Sequence, residues 1–253
     1  MGNSKIHITN KTFTTTGMQD CKTDLTDVTF LVPLRVDSTE RKENIDTLVK
    51  YMFRYFDTTF VVLEADSNRK FYPDYENKNF HYEFMGDIHE FFYKTKSISR
   101  LISMAETQLV AVWDADVIVP PYQILTSLEK LRSNNAFMSL PYNGRAYLTD
   151  KFSAELFKGL GDIAILMKLI PVMPLMYGYH SAGGENEKFH GWGPEDAERV
   201  KRLEIMNLPI HYSEGPLFHL WHPRGKTSWY TNNRIEIQNR REFIETCKKS
   251  GFK

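Results

Sequence analysis

The order of three patterns near the start of the chain restricts the fold more than any other feature of the sequence. Residues 28–36 are a β-rich apolar run, and residues 59–65 are a second one. Between them, apolar residues recur at helical spacing from Ile45 to Phe56, after a Ser-Thr pair that can cap a helix. Strand, helix and strand in this order form a βαβ unit, which requires parallel pairing and a right-handed crossover. The pattern therefore predicts an α/β fold.

The middle of the chain continues this alternation. Residues 94–107 have helical spacing and lead into a third apolar strand at 109–113. A further helix is predicted over 121–131, and a short strand follows at 137–140. Residues 66–87, in contrast, are aromatic and rich in turn-forming residues. For them we predict an irregular excursion over the surface.

The second half of the chain is less regular and richer in Gly, aromatic residues and His. Its clearest element is a helix predicted over 195–206, followed by short strands at 210–212 and 217–220. The chain has no internal repeat and no low-complexity linker, and its 253 residues fit one large α/β domain. We predict a single domain over residues 1–253, with a nucleotide-type α/β half at about 28–140, a half at about 141–224 that would form the other side of a cleft, and a helical C-terminal segment at 225–253.

The balance of charge limits the classes of partner. The chain has 32 basic and 32 acidic residues, so its formal net charge is zero. Non-specific nucleic-acid binding needs a basic surface that displaces counterions. We therefore expect no nucleic-acid partner. Small basic clusters, such as the one formed by Lys94, Lys96 and Arg100, are interpreted as solvated helix faces.

Cysteine content and hydropathy indicate the compartment. The two cysteines, Cys21 and Cys247, form neither a disulfide framework nor a zinc motif, and they suit a reducing environment. The start of the sequence lacks the apolar stretch of a signal peptide. The most apolar run, 163–177, is interrupted by Lys168 and two prolines, and it is too short to span a bilayer. We expect a cytoplasmic protein with at most peripheral membrane contact.

The first candidate for chemistry is the pair Asp114 and Asp116, directly after the third apolar strand. In open α/β sheets, ligands collect at the carboxyl ends of the parallel strands. Two carboxylates one residue apart can face one hard cation, and Mn²⁺ or Mg²⁺ completes its coordination shell with substrate phosphates. A pair of turn or capping aspartates is the alternative, and the residues alone leave it open.

The second candidate is the segment Gly-Trp-Gly-Pro-Glu-Asp at 191–196. Its glycines permit tight turns, and Trp192 offers a flat face for stacking. Glu195 and Asp196 fall at a predicted helix start, where the helix dipole stabilises carboxylates. An ionised carboxylate in a cleft can act as a general base toward a sugar hydroxyl. An ordinary helix start with a packed Trp is the alternative.

The third candidate comprises His219, His222 and Arg224. Either histidine can bind a metal, and the arginine can pair with phosphate oxygens. If the segment is one strand, His219 and Leu220 face opposite sides, so both histidines need not reach one ion. Ordinary surface or core histidines are the alternative.

Together these segments resemble the GT-A fold glycosyltransferases, and most closely the β-1,4-galactosyltransferase and chondroitin-polymerase-like group with its bacterial relatives. That group has a Pro-x-Arg near the first strand, an Asp-x-Asp after an apolar strand, a Gly-Trp-Gly-x-Glu-Asp segment and a later metal-binding His. The order and approximate spacing match from about residue 28 to 224. The matching segments are Pro33-Leu34-Arg35, Asp114-Ala115-Asp116, residues 191–196, and His219. The resemblance implies a nucleotide-diphospho-sugar transferase fold with a Rossmann-like mixed central sheet flanked by helices.

The resemblance also implies roles for individual residues. Asp196 would be the catalytic base, and Glu195 would bind acceptor hydroxyls. Asp116 and His219 would bind Mn²⁺ or Mg²⁺, with His222 as a competitor of His219. The residues expected to bind the nucleotide sugar are Pro33, Arg35, Asp66, Arg100, Asp114, Trp192 and Arg224.

The implied activity is inverting transfer of a hexose or N-acetylhexosamine, of the galactose or N-acetylgalactosamine type, from a UDP-sugar to a hydroxyl of a glycan or glycolipid. Synthesis of a bacterial surface polysaccharide would suit such an enzyme. Two features depart from the group: Pro194 stands where a second Gly is usual, and a thioether metal ligand is not assignable.

Three other functions stay open. Residues 183–186, Gly-Gly-Glu-Asn, superficially resemble a motif of retaining N-acetylgalactosaminyltransferases, but no Trp directly precedes them. The Asp pair could also belong to a metal-dependent nucleotidyltransferase or phosphohydrolase. An inactive homologue that only binds sugar is the non-enzymatic alternative.

Overall fold

The computed structural model describes residues 22–169, 185–191, 193–224 and 233–249, and the backbone of Pro174–Leu175. The strands are β1 Thr23–Leu34, β2 Phe56–Asp66, β3 Phe80–Gly86, β4 Leu109–Val112, β5 Val117–Ile118, β6 Met138–Leu140, β7 Ala146–Leu148, β8 Pro174–Leu175, β9 Ile210–Tyr212 and β10 Leu217–His219. The helices are α1 Thr39–Tyr55, α2 Lys94–Ile102, α3 Pro121–Arg132, α4 Lys151–Leu160, α5 Ile163–Lys168, α6 Glu195–Ile205 and α7 Asn233–Lys248.

The central sheet has the order β3-β2-β1-β4, and its strand pairs are parallel. As the sequence predicts, α1 connects β1 to β2, and the Ser38 hydroxyl caps it by accepting the Arg41 N–H at 3.1 Å. The second half of β1 is buried throughout, which suits a strand covered on both faces. Pro33 is tolerated in β1 because pairing with β4 ends at Leu31, so its missing N–H falls beyond that ladder.

Alternate side chains of the central strands pack on opposite faces of the sheet. Phe30 and Val32 of β1 belong to the main core, which also contains the buried side chains of α1. Leu31 and Leu63 form a smaller cluster on the other face with Leu101 of α2. Helices therefore cover both faces, which confirms the predicted α/β class with a parallel central sheet flanked by helices.

A second sheet links the end of β4 to the later part of the chain. Its order is β5-β10-β7-β8, with β10 antiparallel to β5 and parallel to β7. Val117 of β5 and Phe218 of β10 are buried in the same core cluster as Phe30. The two sheets therefore share one core near the carboxyl end of β4. A separate parallel ladder pairs β6 with β9.

Two expectations about secondary structure were wrong. The stretch 66–87, predicted as an irregular excursion, contains β3, which pairs with β2 from Phe60 opposite Phe80 to Asp66 opposite Gly86. Its half-buried and exposed side chains are mixed, as expected of an edge strand, so it lacks the apolar run of a buried strand. The helix predicted over 94–107 ends at Ile102.

The helices predicted over 121–131 and 195–206 are confirmed to within one residue at each end, as α3 and α6. In the part of the chain that the structure describes, no helix combines the length and apolar character needed to cross a bilayer.

Candidate active site

Backbone pairing brings Asp116 and His219 together. Asp116 lies between β4 and β5, and β5 pairs with β10 in a register that sets Val117 opposite His219. The N–H of Leu220 donates to the carbonyl oxygen of Asp116 at 2.7 Å, which extends the ladder by one residue. This register places Nε2 of His219 3.2 Å from Oδ1 of Asp116.

His222 reaches the same carboxylate from beyond the end of β10. Its Nε2 lies 3.3 Å from Oδ2 of Asp116. Strand alternation would put His219 and His222 on opposite sides, but β10 ends at His219, so alternation does not apply to His222. The structure therefore brings both histidines to Asp116. The three side chains are buried, and their potential ligand atoms lie within 4.8 Å of one another.

Two backbone carbonyls determine which imidazole nitrogens face Asp116. Nδ1 of His219 lies 3.1 Å from the carbonyl oxygen of Leu220, and Nδ1 of His222 lies 2.9 Å from that of Pro223. A carbonyl oxygen only accepts, so each Nδ1 carries a proton and donates it. In a neutral His219, the Nε2 lone pair then faces a carboxylate oxygen. Such an arrangement is repulsive unless a cation lies between the acceptors.

Arg41, in the first turn of α1, supplies a cation at this position. Its Nη1 donates to Oδ2 of Asp116 at 2.9 Å, and its Nη2 lies over the imidazole of His222, 3.0 Å from Nε2 and 3.4 Å from Nδ1. Its Nε donates to Asp37 at 2.9 Å. Arg41 was not among the residues predicted for the site. The signal that could have found it is its place at a helix N-terminus directly after a central strand, where anions and ligands collect.

Burial and charge together set the protonation of the cluster. Burial alone would raise the pKa of the Asp116 carboxyl, but the adjacent His219, Arg41 and His222 hold it well below its ordinary range. Burial lowers the pKa of His219 to about 4, because the charged imidazole is poorly solvated there. At neutral pH the carboxylate is thus ionised and His219 is neutral, which are the forms that bind metals.

The donor set fits a divalent cation, and Mn²⁺ better than Mg²⁺. Asp116 offers carboxylate oxygen, and His219 and His222 offer imidazole nitrogen. Mg²⁺ prefers oxygen ligands throughout, whereas imidazole suits transition metals. The Nδ1–H groups donate to backbone carbonyls, as metal-binding histidines usually do. These three residues are the ones that would hold the ion.

A second cluster surrounds Lys94, the first residue of α2. Its Nζ lies 2.9 Å from Oδ1 of Asp114. Glu195 and Asp196, which begin α6, have carboxylate oxygens 3.9 Å and 3.7 Å from the same Nζ. The interpretation of Lys94 as part of a solvated helix face was wrong, since its side chain is only 15% exposed. Asp114 thus faces Lys94, while Asp116 faces the histidines.

A small cleft that is open to solvent, with a cavity volume of about 40 Å³, lies beside this second cluster. Its polar lining includes Lys94, Asp114 and Asp196, and its apolar lining includes Trp113 and Tyr142. Carboxylates that accept hydrogen bonds, together with flat aromatic faces, suit a ring that carries several hydroxyl groups.

A buried arginine orients Asp196. Nη1 of Arg199 donates to Oδ1 of Asp196 at 3.1 Å. Nη2 of Arg199 lies 2.5 Å from Oε1 of Glu185, and the two side chains are 1% and 2% exposed. One oxygen of Asp196 is thus held by Arg199, while the other faces Lys94.

Glu195 is a buried carboxyl with an incomplete set of partners. Its Oε2 is buried and accepts no hydrogen bond among the described residues. Burial, and then the neighbouring charge of Asp196, raises the pKa of Glu195 to about 8. At neutral pH this carboxyl therefore carries a proton, and a protonated carboxyl can donate a hydrogen bond to a sugar hydroxyl.

The raised pKa predicts how Glu195→Gln changes the pH dependence of stability. Because the folded state binds this proton more tightly than the unfolded state, whose pKa is near 4.5, the wild-type free energy of unfolding falls as pH rises toward about 8. The loss is at most about 1.4 kcal/mol per pH unit. Gln binds no proton there, so the variant gains stability relative to wild type across this window. Urea unfolding of both proteins at pH 5, 6.5 and 8 measures the gain, and parallel pH profiles would contradict it.

Three residues predicted for the nucleotide lie at the carboxyl ends of β1 and β2. Pro33 is buried within β1. Arg35 follows β1, and its Nη2 donates to Oδ2 of Asp87 at 2.8 Å. Asp66 ends β2 and accepts from Nζ of Lys70 at 2.7 Å. The structure thus gives Arg35 and Asp66 partners within the protein, and contact of these residues with a nucleotide stays a prediction.

The other residues predicted for the donor lie in different surroundings. Arg100 is 54% exposed and pairs with Glu83 at 3.1 Å. It lies six residues, or about 9 Å of helix, beyond Lys94, so α2 presents Lys94 rather than Arg100 to the second cluster. Arg224 is exposed, two residues past the buried histidines. Trp192 lies outside the described residues.

Comparison with known proteins finds solved structures that are similar to this chain at low sequence identity and low TM-score. No protein-family model and no curated protein matches the sequence. A crystal structure of a mycobacterial protein is 13% identical, with 89% of this chain and 75% of that chain covered and a TM-score of 0.43. Glucosyl-3-phosphoglycerate synthase from Mycobacterium tuberculosis, in complex with Mg²⁺ and UDP, is 12% identical, with 89% and 80% covered and a TM-score of 0.42. These TM-scores are too low to assign an activity, so the assignment depends on the geometry of the site.

Proposed function

We propose that this protein is a metal-dependent glycosyltransferase of the GT-A type, which moves a sugar from a UDP-sugar to a hydroxyl of a glycan or glycolipid with inversion at the anomeric carbon. One observation carries the proposal: a buried group of one carboxylate and two imidazoles that can hold a metal ion, at Asp116, adjoins a carboxylate-lined cleft, at Asp114. The two residues are two apart in sequence, so at most about 7 Å separates their Cα atoms. A diphosphate and the sugar attached to it can span that distance.

The donor side of the site would be formed by the first half of the chain together with His219 and His222. Asp116, His219 and His222 would hold the ion, which when bound neutralises the charge that develops on the departing diphosphate. Asp114, which borders the cleft, would accept a hydrogen bond from a hydroxyl of the donor. Pro33, Arg35 and Asp66 would line the nucleotide at the neighbouring strand ends.

The acceptor side would be formed by the start of α6. Asp196 would remove the proton of the incoming hydroxyl. The oxygen of this hydroxyl attacks the anomeric carbon from the face opposite the UDP. The bond from that carbon to the β-phosphate oxygen breaks at the same time, and its electron pair leaves with UDP. Glu195, protonated at neutral pH, would donate a hydrogen bond to the acceptor. A donor of the galactose or N-acetylgalactosamine type is part of the proposal.

A panel of UDP-sugars with Mn²⁺ tests the function directly. We expect UDP release, faster with UDP-galactose or UDP-N-acetylgalactosamine than with other donors, and loss of release when EDTA removes the ion. With a glycan acceptor, NMR of the product should show the anomer opposite to that of the donor.

Other products of the same assay would assign a different function. Release of sugar 1-phosphate and UMP would indicate a phosphohydrolase, and a retained anomer would indicate a retaining transferase. Binding of glycans without any need for nucleotide or metal, and without UDP release, would indicate a sugar-binding protein.

A further inference from the structure

We propose that Arg41 and the metal ion bind the Asp116 carboxylate alternately, so that Arg41 holds the metal ligands together until an ion displaces it. The inference rests on the metal site of the proposed function. It goes beyond that function because it makes a residue of α1 a competitor of the ion. It also predicts the direction in which loss of Arg41 changes metal affinity.

The contacts of Arg41 are with the atoms that an ion would use. Its Nη1 lies 2.9 Å from Oδ2 of Asp116, and its Nη2 covers the His222 ring, 3.0 Å from Nε2 and 3.4 Å from Nδ1. An ion bound to Oδ2 of Asp116 and Nε2 of His222 would lie about 2.1 Å from each. Arg41 already holds Oδ2 of Asp116 and covers the face of His222, and its positive charge and that of an ion repel one another. Arg41 and the ion therefore compete for this carboxylate.

Asp37 gives Arg41 an anchor outside the cluster. Nε of Arg41 donates to Oδ1 of Asp37 at 2.9 Å, and the two side chains are 20% and 21% exposed. Asp116, in contrast, is 2% exposed. The guanidinium can therefore swing toward solvent on the Asp37 anchor and keep one charged partner, while the Asp116 carboxylate passes to the ion.

The opposite role for Arg41 makes the opposite prediction. If Arg41 competes with the ion, its removal abolishes charge-assisted hydrogen bonds that metal binding must otherwise break. Mn²⁺ should then bind at least about tenfold more tightly. If Arg41 instead orients the ligands from outside the coordination shell, its removal should weaken binding by about 10–100-fold. The sign of the change decides between the two roles.

The test is titration of the full-length protein with Mn²⁺ alone, at pH 7.5 and without nucleotide, followed by calorimetry and by the EPR signal of free Mn²⁺. Wild type is compared with Arg41→Met, with Arg41→Lys, which keeps the charge, and with Arg54→Met as the matched control. Arg54 is on the same helix, is exposed and contacts the Tyr55 ring. We expect tighter binding in Arg41→Met, an intermediate affinity in Arg41→Lys and wild-type affinity in the control.

Thermal unfolding gives a second measurement that does not depend on catalysis. Arg41→Met loses the guanidinium that neutralises the buried Asp116 carboxylate, so without metal it should unfold at a lower temperature than wild type. Mn²⁺ should raise its melting temperature by more than it raises that of wild type, because a tighter ligand stabilises more at equal concentration.

Failure of this inference can be told apart from failure of the proposed function. Equal or weaker Mn²⁺ binding by Arg41→Met, beside measurable binding by wild type, overturns competition alone and leaves the metal site intact. If neither wild type nor Arg41→Met binds Mn²⁺, with or without UDP, the metal site fails, and both proposals fail with it.

Discussion

Replacing Asp196 with Asn is expected to lower the turnover of sugar transfer by about 10²–10⁴-fold, the usual contribution of a positioned general base. Asn has nearly the same shape and retains an oxygen that can accept from Arg199, as Oδ1 does at 3.1 Å. It cannot take a proton from the acceptor hydroxyl. Metal-dependent UDP binding should therefore stay nearly unchanged. Calorimetry in the presence of Mn²⁺ measures this binding, and a separate assay measures kcat.

A control separates this chemistry from the general effect of losing a carboxylate at a helix start. Asp162 caps α5 and accepts the Ala164 N–H at 2.9 Å, and Asn is an equally good cap. Asp162→Asn should therefore keep wild-type kcat. Unchanged turnover in Asp196→Asn, or a strong loss of UDP binding, would exclude Asp196 as the base. A rise in acceptor KM without a fall in kcat would make it a binding residue instead.

The buried strands of the central sheet were predictable, whereas its edge was not. The second halves of β1 and β2 are buried on both faces, so their sequences there are nearly continuous apolar runs. β3 pairs on one side only and has a mixed surface, and its Phe80, Tyr82 and Phe84 resemble the aromatic residues of a loop. Its identity as a strand comes from pairing with β2, and a single sequence carries no direct record of that pairing.

The candidate site was predictable in its acidic residues and histidines but not in its cations. A strand end and a helix start identify Asp114, Asp116 and Asp196 by local pattern. Arg41 and Lys94 lie in the first turns of α1 and α2. From the sequence alone, a basic side chain at such a position is expected to be exposed to solvent. What makes them part of the site is the meeting of α1 and α2 with the end of β4, which tertiary packing alone decides.

For the two histidines, a local rule predicted an arrangement that the structure does not have. Strand alternation indicated that His219 and His222 need not share one ion, and this rule assumes that the strand continues. β10 ends at His219, and the chain beyond it returns His222 to Asp116 with Nε2 at 3.3 Å. The position of a strand end, which is among the least certain features of a sequence, thus decides whether one or two histidines face Asp116.

Replacing Asp116 with Asn is expected to abolish measurable Mn²⁺ binding and to lower sugar transfer by at least about 100-fold. The amide is uncharged, so His219 and His222 alone would hold the ion. Without the ion, the charge on the departing diphosphate loses several kcal/mol of stabilisation. About 1.4 kcal/mol corresponds to a tenfold change in rate. Asp27→Asn is the matched control, because Asp27 also binds an arginine, Arg132 at 2.9 Å, but in an exposed pair in the first half of β1. The control should bind Mn²⁺ and transfer sugar as wild type does. Equal Mn²⁺ affinity in Asp116→Asn and the control would remove Asp116 from the metal site.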